Sequence, residues 1–288
     1  MDQAIVLLIA VVSGIAVLTL ISLGLAVIFG MMRVINFAHG EFIMLGGYAT
    51  VVASAQGVNL WVAMFVVAPL AVGLVGFAAE RLIVRRFYGQ IVTTLLATWG
   101  LSLFLIGAVT AVFGNTTRGV AAPLGSTQIG SYSASNYQLA LVVIASFLAL
   151  LCLVVLNRTS WGLIARATMR NPQMASTLGI DPVKVYAATF TIGAALSGLA
   201  GGLLAPVSGV IPYMGSAYVA RAFVTVIAGG SALVTGTVSA AALFGPLEAV
   251  LSFLSTPVIG QAAVLIAAIV LLRILPQGIS DAWQGSGR

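Results

Sequence analysis

Residues able to carry out chemistry are scarce in this 288-residue chain, which has a single histidine, His39, a single cysteine, Cys152, one lysine, Lys184, and six carboxylates. A phosphate-cradling loop needs Gly-Lys-Ser/Thr after a glycine-rich turn. Lys184 stands between Val183 and Val185, so that loop is excluded, and ATP, if used, is bound by another polypeptide. Cys152 falls inside an apolar run and reads as a small buried hydrophobe. A lone thiol forms no internal disulfide and argues against a metal cluster. Neither paired carboxylates nor a Ser/His/Asp set occurs at useful spacing. The chain is therefore expected not to be an enzyme, with no catalytic residue, metal site or cofactor of its own.

The remaining polar residues concentrate in two places, of which the first is Asn36-Phe37-Ala38-His39-Gly40-Glu41. Ionisable groups within a membrane segment are costly and usually face a cavity or the bundle interior, so Asn36, His39 and Glu41 are candidates for lining or gating a route. A plainer reading has Asn36 capping a helix and Glu41 meeting its positive dipole end. Thr98 and Trp99 join the pathway candidates, because with Thr93, Thr94 and Ser102 they form a set too polar for a lipid-facing surface. Glu248, isolated in a late apolar segment, carries the same two readings.

The second place is Arg166-Ala-Thr-Met-Arg-Asn-Pro-Gln-Met-Ala-Ser-Thr-Leu-Gly-Ile180, cationic and helix-punctuated in an apolar chain. Asn171 is a good N-cap, Pro172 sits where a missing N–H costs nothing, and Gly179 can take the left-handed conformation that closes a helix. This predicts a helix of about two turns over 172–178, with Met174 and Leu178 on one face and Ala175 beside them. Asp181 and Pro182 then open the next helix almost at once. A short helix with a small apolar face, rigidly joined to a longer one, is shaped to dock, although capped turns are also common in ordinary loops.

The elements that must position these residues follow from composition. With 61% hydrophobic and only 6% charged residues, against roughly 25% charged in soluble domains, the chain reads as an integral membrane protein. At about 20 apolar residues per span it has room for about eight to ten. Long continuous runs mean helices, and the alternation of a barrel is absent. Met1-Asp2-Gln3 lacks the basic region of a cleaved signal, so the first segment is expected to remain as a helix. The expected architecture is an all-α, single-domain bundle over 1–288 with about eight or nine transmembrane helices. Spans are expected at about 4–29, 36–55, 60–84, 91–113, 137–156, 183–204, 236–253 and 258–275.

Residues 217–228 form an apolar piece too short to cross, bounded by Gly229 and Gly230, as in re-entrant or discontinuous helices. Gly198 and Gly202 form a GxxxG pair suited to close packing. The basic clusters Arg81, Arg85, Arg86 and Arg158, Arg166, Arg170, Lys184 belong in the cytoplasm by the positive-inside rule. That places the loop at about 158–182 inside and the Gly/Ser/Thr-rich loop at about 114–136 outside. Arg273 and Arg288 favour an inside C-terminus, which holds only if 217–228 crosses. No basic stripe suggests nucleic acid, so membrane lipid is the expected surrounding.

Three stretches in order, Ile35 to Glu41, Thr94-Leu95-Leu96-Ala97-Thr98-Trp99-Gly100, and Arg166 to Ile180, resemble the permease subunits of bacterial branched-chain amino acid ABC importers. The likeness runs from about residue 10 to 280. It implies a multi-pass subunit of the inner membrane that pairs with a second permease, receives solute from a periplasmic binding protein and is driven by two cytoplasmic ABC ATPases. By position, Met174, Ala175 and Leu178 would be the face that inserts into the ATPase, Arg166 and Arg170 flanking charges, Asn171 the cap, and Gly179 the residue holding the exit angle. Permeases for urea or short amides share these motifs, and Tyr88-Gly89 resembles them as well. A stand-alone channel or secondary transporter built on Glu41 and His39 is the reading from a different class, against which the prominent capped helix stands. The residues alone leave the substrate open, along with whether the permease pairs with itself or, as the resemblance implies, with a distinct partner.

Overall fold

A computed structural model describes residues 2–130 and 132–281; Met1 and Arg288, used above for the chain ends, lie outside the described residues. Eleven helices and one hairpin are referred to below. They are α1 (Asp2–Met32), α2 (His39–Ala55), α3 (Leu60–Leu82), α4 (Ile91–Phe113), β1 (Ser126–Ile129), β2 (Tyr132–Ser135), α5 (Asn136–Arg158), α6 (Ser160–Arg170), α7 (Pro172–Thr177), α8 (Pro182–Ser208), α9 (Met214–Gly229), α10 (Leu233–Leu254) and α11 (Pro257–Ile274). Seven of these are long and apolar enough to cross a bilayer, and α9 is a shorter apolar helix. The chain is a polytopic all-α membrane protein, as its composition required. The 114–136 loop carries the antiparallel pair β1–β2, with Ser126 opposite Ser135 and Ile129 opposite Tyr132.

The chain packs as two units, one of Leu23–Val120 with Leu151–Val219, the other of Met1–Ser22, Ala121–Leu150 and Ala220–Arg288. The first is built around α8. Small residues let neighbouring backbones touch it on two sides: a methyl group built on Gly201 would lie 1.8 Å from the Ile43 carbonyl oxygen in α2, and one on Gly76 of α3 2.3 Å from the Ala194 Cβ. Gly198, half of the GxxxG pair, meets Gly46 of α2 on one side and Val72 of α3 on the other. Within lipid, helices gain little from hiding apolar surface from each other, so this backbone-level contact is what holds them. Phe42 and Phe190 meet edge to face, centroids 6.0 Å apart, and complete the core with Ile28 and Val72.

Two helices are short for a reason visible in this packing. The first turn of α2 contacts α8 at Ser197, near the middle of α8, so α2 begins in the interior of the bundle and residues 33–38 approach it without helical structure. Its 17 residues make about 26 Å, less than the ~30 Å hydrocarbon thickness. The same arrangement occurs again after α8. Residues 209–213 are irregular and bridge to Arg118 through Val210 (N to O 2.7 and 3.0 Å). Helix α9 then starts where Gly215 touches Gly40, the built methyl of Gly40 falling 2.1 Å from the Gly215 carbonyl oxygen.

In the second unit, α10 packs on α11 and meets α1 where Gly245 approaches Ile15. Arg221 of α9 and Glu248 of α10 form an ion pair of 2.6 Å with both side chains largely buried. Breaking one partner of a buried pair typically costs about 3–5 kcal/mol, because the other charge is left without compensation, whereas replacing both by apolar residues is often neutral. In detergent, Glu248→Met is therefore expected to lower the thermal midpoint sharply and Arg221→Met/Glu248→Met to recover most of it; equal midpoints for the single and double variants would contradict this account. Gly201→Ala is expected to destabilise by more than the about 1–3 kcal/mol of ordinary overpacking, since backbone cannot yield as a side chain can. Gly100→Ala, inside α4 with nothing within 4 Å of the new methyl, should not lower the midpoint in the same melting assay and by helix propensity should raise it slightly.

Candidate functional site: a capped short helix and the meeting point of two interior helix starts

The loop 158–182 contains two helices. Helix α6 was not anticipated from the loop's residues. It is capped by Thr159, whose hydroxyl accepts from Gly162 N–H at 3.1 Å, and it packs through Gly162, Ala165 and Thr168. Its Arg166 donates to the Gly162 carbonyl and to Asn157 Oδ1, both at 3.3 Å, while Arg170 is exposed. The available signal was the spacing of the small residues Gly162, Ala165 and Thr168, three apart and so on one helix face.

Helix α7 follows the grammar of its sequence. The Asn171 side chain accepts from Met174 N–H at 2.9 Å with Pro172 in the first turn. At the far end Gly179 has φ 83°, its N–H reaches the Ser176 carbonyl at 3.0 Å, and Ile180 N–H reaches that of Ala175, also at 3.0 Å. These are the paired bonds of a Schellman closure, which satisfy the last carbonyls and need the left-handed residue that only glycine adopts without strain. Asp181 caps α8 through Val183 N–H at 3.0 Å, so only residues 178–181 separate α7 from the central helix. Met174 is 61% and Leu178 74% exposed, whereas Ala175 is buried at 3%. Met174 and Leu178 thus form the open apolar face, and Ala175 seats α7 on the rest of the chain.

The second cluster lies where α2 begins. Non-helical backbone inside a membrane bundle must find partners for its polar groups. Thr98 supplies them: its hydroxyl accepts from Phe37 N–H at 3.1 Å and lies 3.2 Å from the Ile35 carbonyl and 3.0 Å from that of Leu95. Asn36 Oδ1 accepts from Ala38 N–H at 3.1 Å, in a turn just before α2. His39 Nδ1 is 3.1 Å from the Ser197 hydroxyl. Glu41 is 2% exposed; its Oε1 lies against the first turn of α9, 2.9 Å from a methyl built on Gly215, and Ser102 bonds to the carboxylate. Its Oε2 and the Asn36 Nδ2 are buried without a hydrogen-bond partner.

Asn36, His39, Glu41 and Thr98 are therefore brought together around one break, while Trp99 is 52% exposed on another face of α4. Ser197 and Gly215, which complete the cluster, could not be found from local pattern, because Ser197 sits in a stretch that reads as ordinary packing helix and Gly215 in one, 205–216, that reads as a Pro/Gly-punctuated turn. Tyr88 has a structural explanation. Its hydroxyl donates to the Glu80 carboxylate, its ring meets Tyr186 edge on at 5.2 Å, and burial, followed by the Glu80 carboxylate, pushes its hydroxyl above the usual tyrosine range. Among the described residues no group of three or more potential metal ligands occurs.

Comparison with known proteins sets these clusters in context. The chain is 33% identical over 280 residues to the high-affinity branched-chain amino acid transport system permease protein LivH of Salmonella typhimurium, covering 90% of each chain. It is 29% identical over 246 residues to the corresponding BraD permease protein of Pseudomonas aeruginosa, covering 80% of each. It is also 28% identical over 234 residues to the permease protein LivM of the same Salmonella strain, covering 72% of this chain and 54% of that one. A family model described as branched-chain amino acid transport system / permease component matches residues 7–275, and with identity of this order over nearly the whole length the chain belongs to that family.

Proposed function

We propose that this permease is the membrane subunit of an importer of branched-chain amino acids in a bacterial inner membrane. It works with a second permease, a periplasmic solute-binding protein and two cytoplasmic ABC ATPases. The observation that carries the coupling reading is α7: capped at both ends, exposing Met174 and Leu178, and tied through four residues to α8. A motion imposed on such a helix is transmitted rather than absorbed, because neither junction contains slack. Helix α8 in turn touches α2 and α3 along its glycine face, so displacement of α7 reaches the interior starts of α2 and α9.

In this reading Met174 and Leu178 enter an apolar cleft of the ATPase and Ala175 holds the helix against the permease. Asn171 and Gly179 fix its ends, and Arg166 and Arg170 flank it. The pathway runs past Asn36, His39 and Glu41, with Thr98 securing the irregular backbone beside them. The family likeness to both LivH and LivM supports a heterologous pair of permeases as the working unit.

Two outcomes are expected. In vesicles holding the assembled importer, labelled leucine uptake should require internal ATP and should persist in excess urea; ATP-driven urea uptake without leucine uptake would move the substrate to the amide class. Leu178→Asp should reduce uptake at least 10-fold while insertion into the membrane is retained, since a carboxylate enters an apolar cleft only at several kcal/mol. Normal uptake by that variant would remove α7 from the coupling path.

A further inference from the structure

Two helices of the first unit start in the interior and their first turns touch, α2 at Gly40 and α9 at Gly215. Helix N-termini carry unsatisfied N–H groups and a partial positive charge, which favour a negative group placed on them. By itself that is common to helices and points to no ligand. Other buried polar atoms of the chain also lack partners, Glu80 Oε2 and the Tyr48 hydroxyl among them, but here a carboxylate oxygen and an amide donor are left over beside the start of one interior helix. Glu41 Oε2 and Asn36 Nδ2 are both buried and unpartnered, on residues 2% and 0% exposed. A buried acceptor of a carboxylate and a buried amide donor without partners are each expensive, and native proteins rarely keep both in one place without use.

The two orphaned groups are chemically complementary to the two ends of a free amino acid. A carboxylate with an open oxygen takes an ammonium; an amide N–H beside helix N-termini takes a carboxylate. The nearest basic side chain in the cluster, His39, is engaged with Ser197 at 3.1 Å, and Ser102 bonds to the Glu41 carboxylate. Neither supplies the missing cation for Oε2.

From this juxtaposition we infer that the meeting point of the α2 and α9 starts is a transit site for a zwitterionic α-amino acid, with Glu41 receiving the ammonium and Asn36 with the helix N-termini receiving the carboxylate. On this assignment the arrangement seen is the closed one, with Gly40 and Gly215 in backbone contact and Glu41 Oε1 against Gly215. Parting of the two first turns exposes the orphaned atoms to solute, and their return to contact expels it. The assignment rests on the importer reading above and adds a chemical selectivity to it. A solute with both charges matches both groups, whereas urea, with neither charge, leaves the Glu41 carboxylate without its cation.

The test uses the complete importer reconstituted in proteoliposomes, with leucine uptake and binding-protein-stimulated ATP hydrolysis measured in parallel. Glu41→Gln is expected to retain assembly and stimulated ATP hydrolysis while leucine uptake falls at least 10-fold. Glu41→Asp should keep a measurable share of uptake, and Asn36→Ala should lose several-fold. An assembled Glu41→Gln importer that moves leucine at the wild-type rate overturns the assignment and leaves the importer reading intact. If the glutamine chain does not reach the membrane, Asn36→Ala decides alone, wild-type uptake by it being the overturning result. Absence of ATP-driven leucine uptake in the wild-type importer would instead defeat both readings.

Discussion

Backbone contact along one face of α8 is the constraint on which the rest of this protein depends. In water, two helices can be held by burying apolar side chains, but lipid offers those side chains an equally apolar environment, so attraction has to come from close fit. Gly193, Gly198 and Gly201 let α8 approach α1, α2 and α3 closely enough that any added methyl would collide with a neighbour. Because the fit is at the level of backbone, the position of each partner helix along α8 is set within a narrow range. That register places the first turn of α2 against the middle of α8 and brings Ser197 to His39.

Starting a helix in the interior has consequences that other residues must meet. Segment 33–38 has no helical ladder, and the Thr98 hydroxyl together with the Asn36 side chain takes up its free groups. Segment 209–213 solves the same problem differently, by a backbone bridge between Val210 and Arg118. Farther along α9, the Arg221 charge is matched by Glu248. Glu41 Oε2 and Asn36 Nδ2 are among the buried side-chain atoms left without a partner, and Glu41 is the one of the two that meets both helix starts, its Oε1 lying against Gly215.

The short helix α7 belongs to the same mechanical system. Its closure by Gly179 and the cap supplied by Asp181 leave only residues 178–181 before α8, so the helix that exposes Met174 and Leu178 is joined directly to the packing axis. Its isolated length of six residues is too short for a stable helix in water; the caps and the burial of Ala175 maintain it. The exposed Met174 and Leu178 are the residues through which the proposed docking would act, while Ala175, beside them in sequence, is buried.

The sequence by itself determined the membrane class, the positions of most spans, the caps of α7 and α8 and the family, because each rests on local composition or on residues adjacent in the chain. Asn171, Pro172 and Gly179 act on neighbours within four positions, and their geometry follows from their own chemistry. Helix α6, the hairpin at 126–135 and the interior starts of α2 and α9 needed the fold. So did the pairing of Arg221 with Glu248 and the company that Gly215 and Ser197 keep with Glu41 and His39. Those contacts join residues 27 to more than 150 positions apart, and a glycine or serine in an apolar run carries no mark of which backbone will come to rest against it. Tertiary packing decided them, because the register between helices in lipid is selected by the joint fit of several surfaces and not by any one segment.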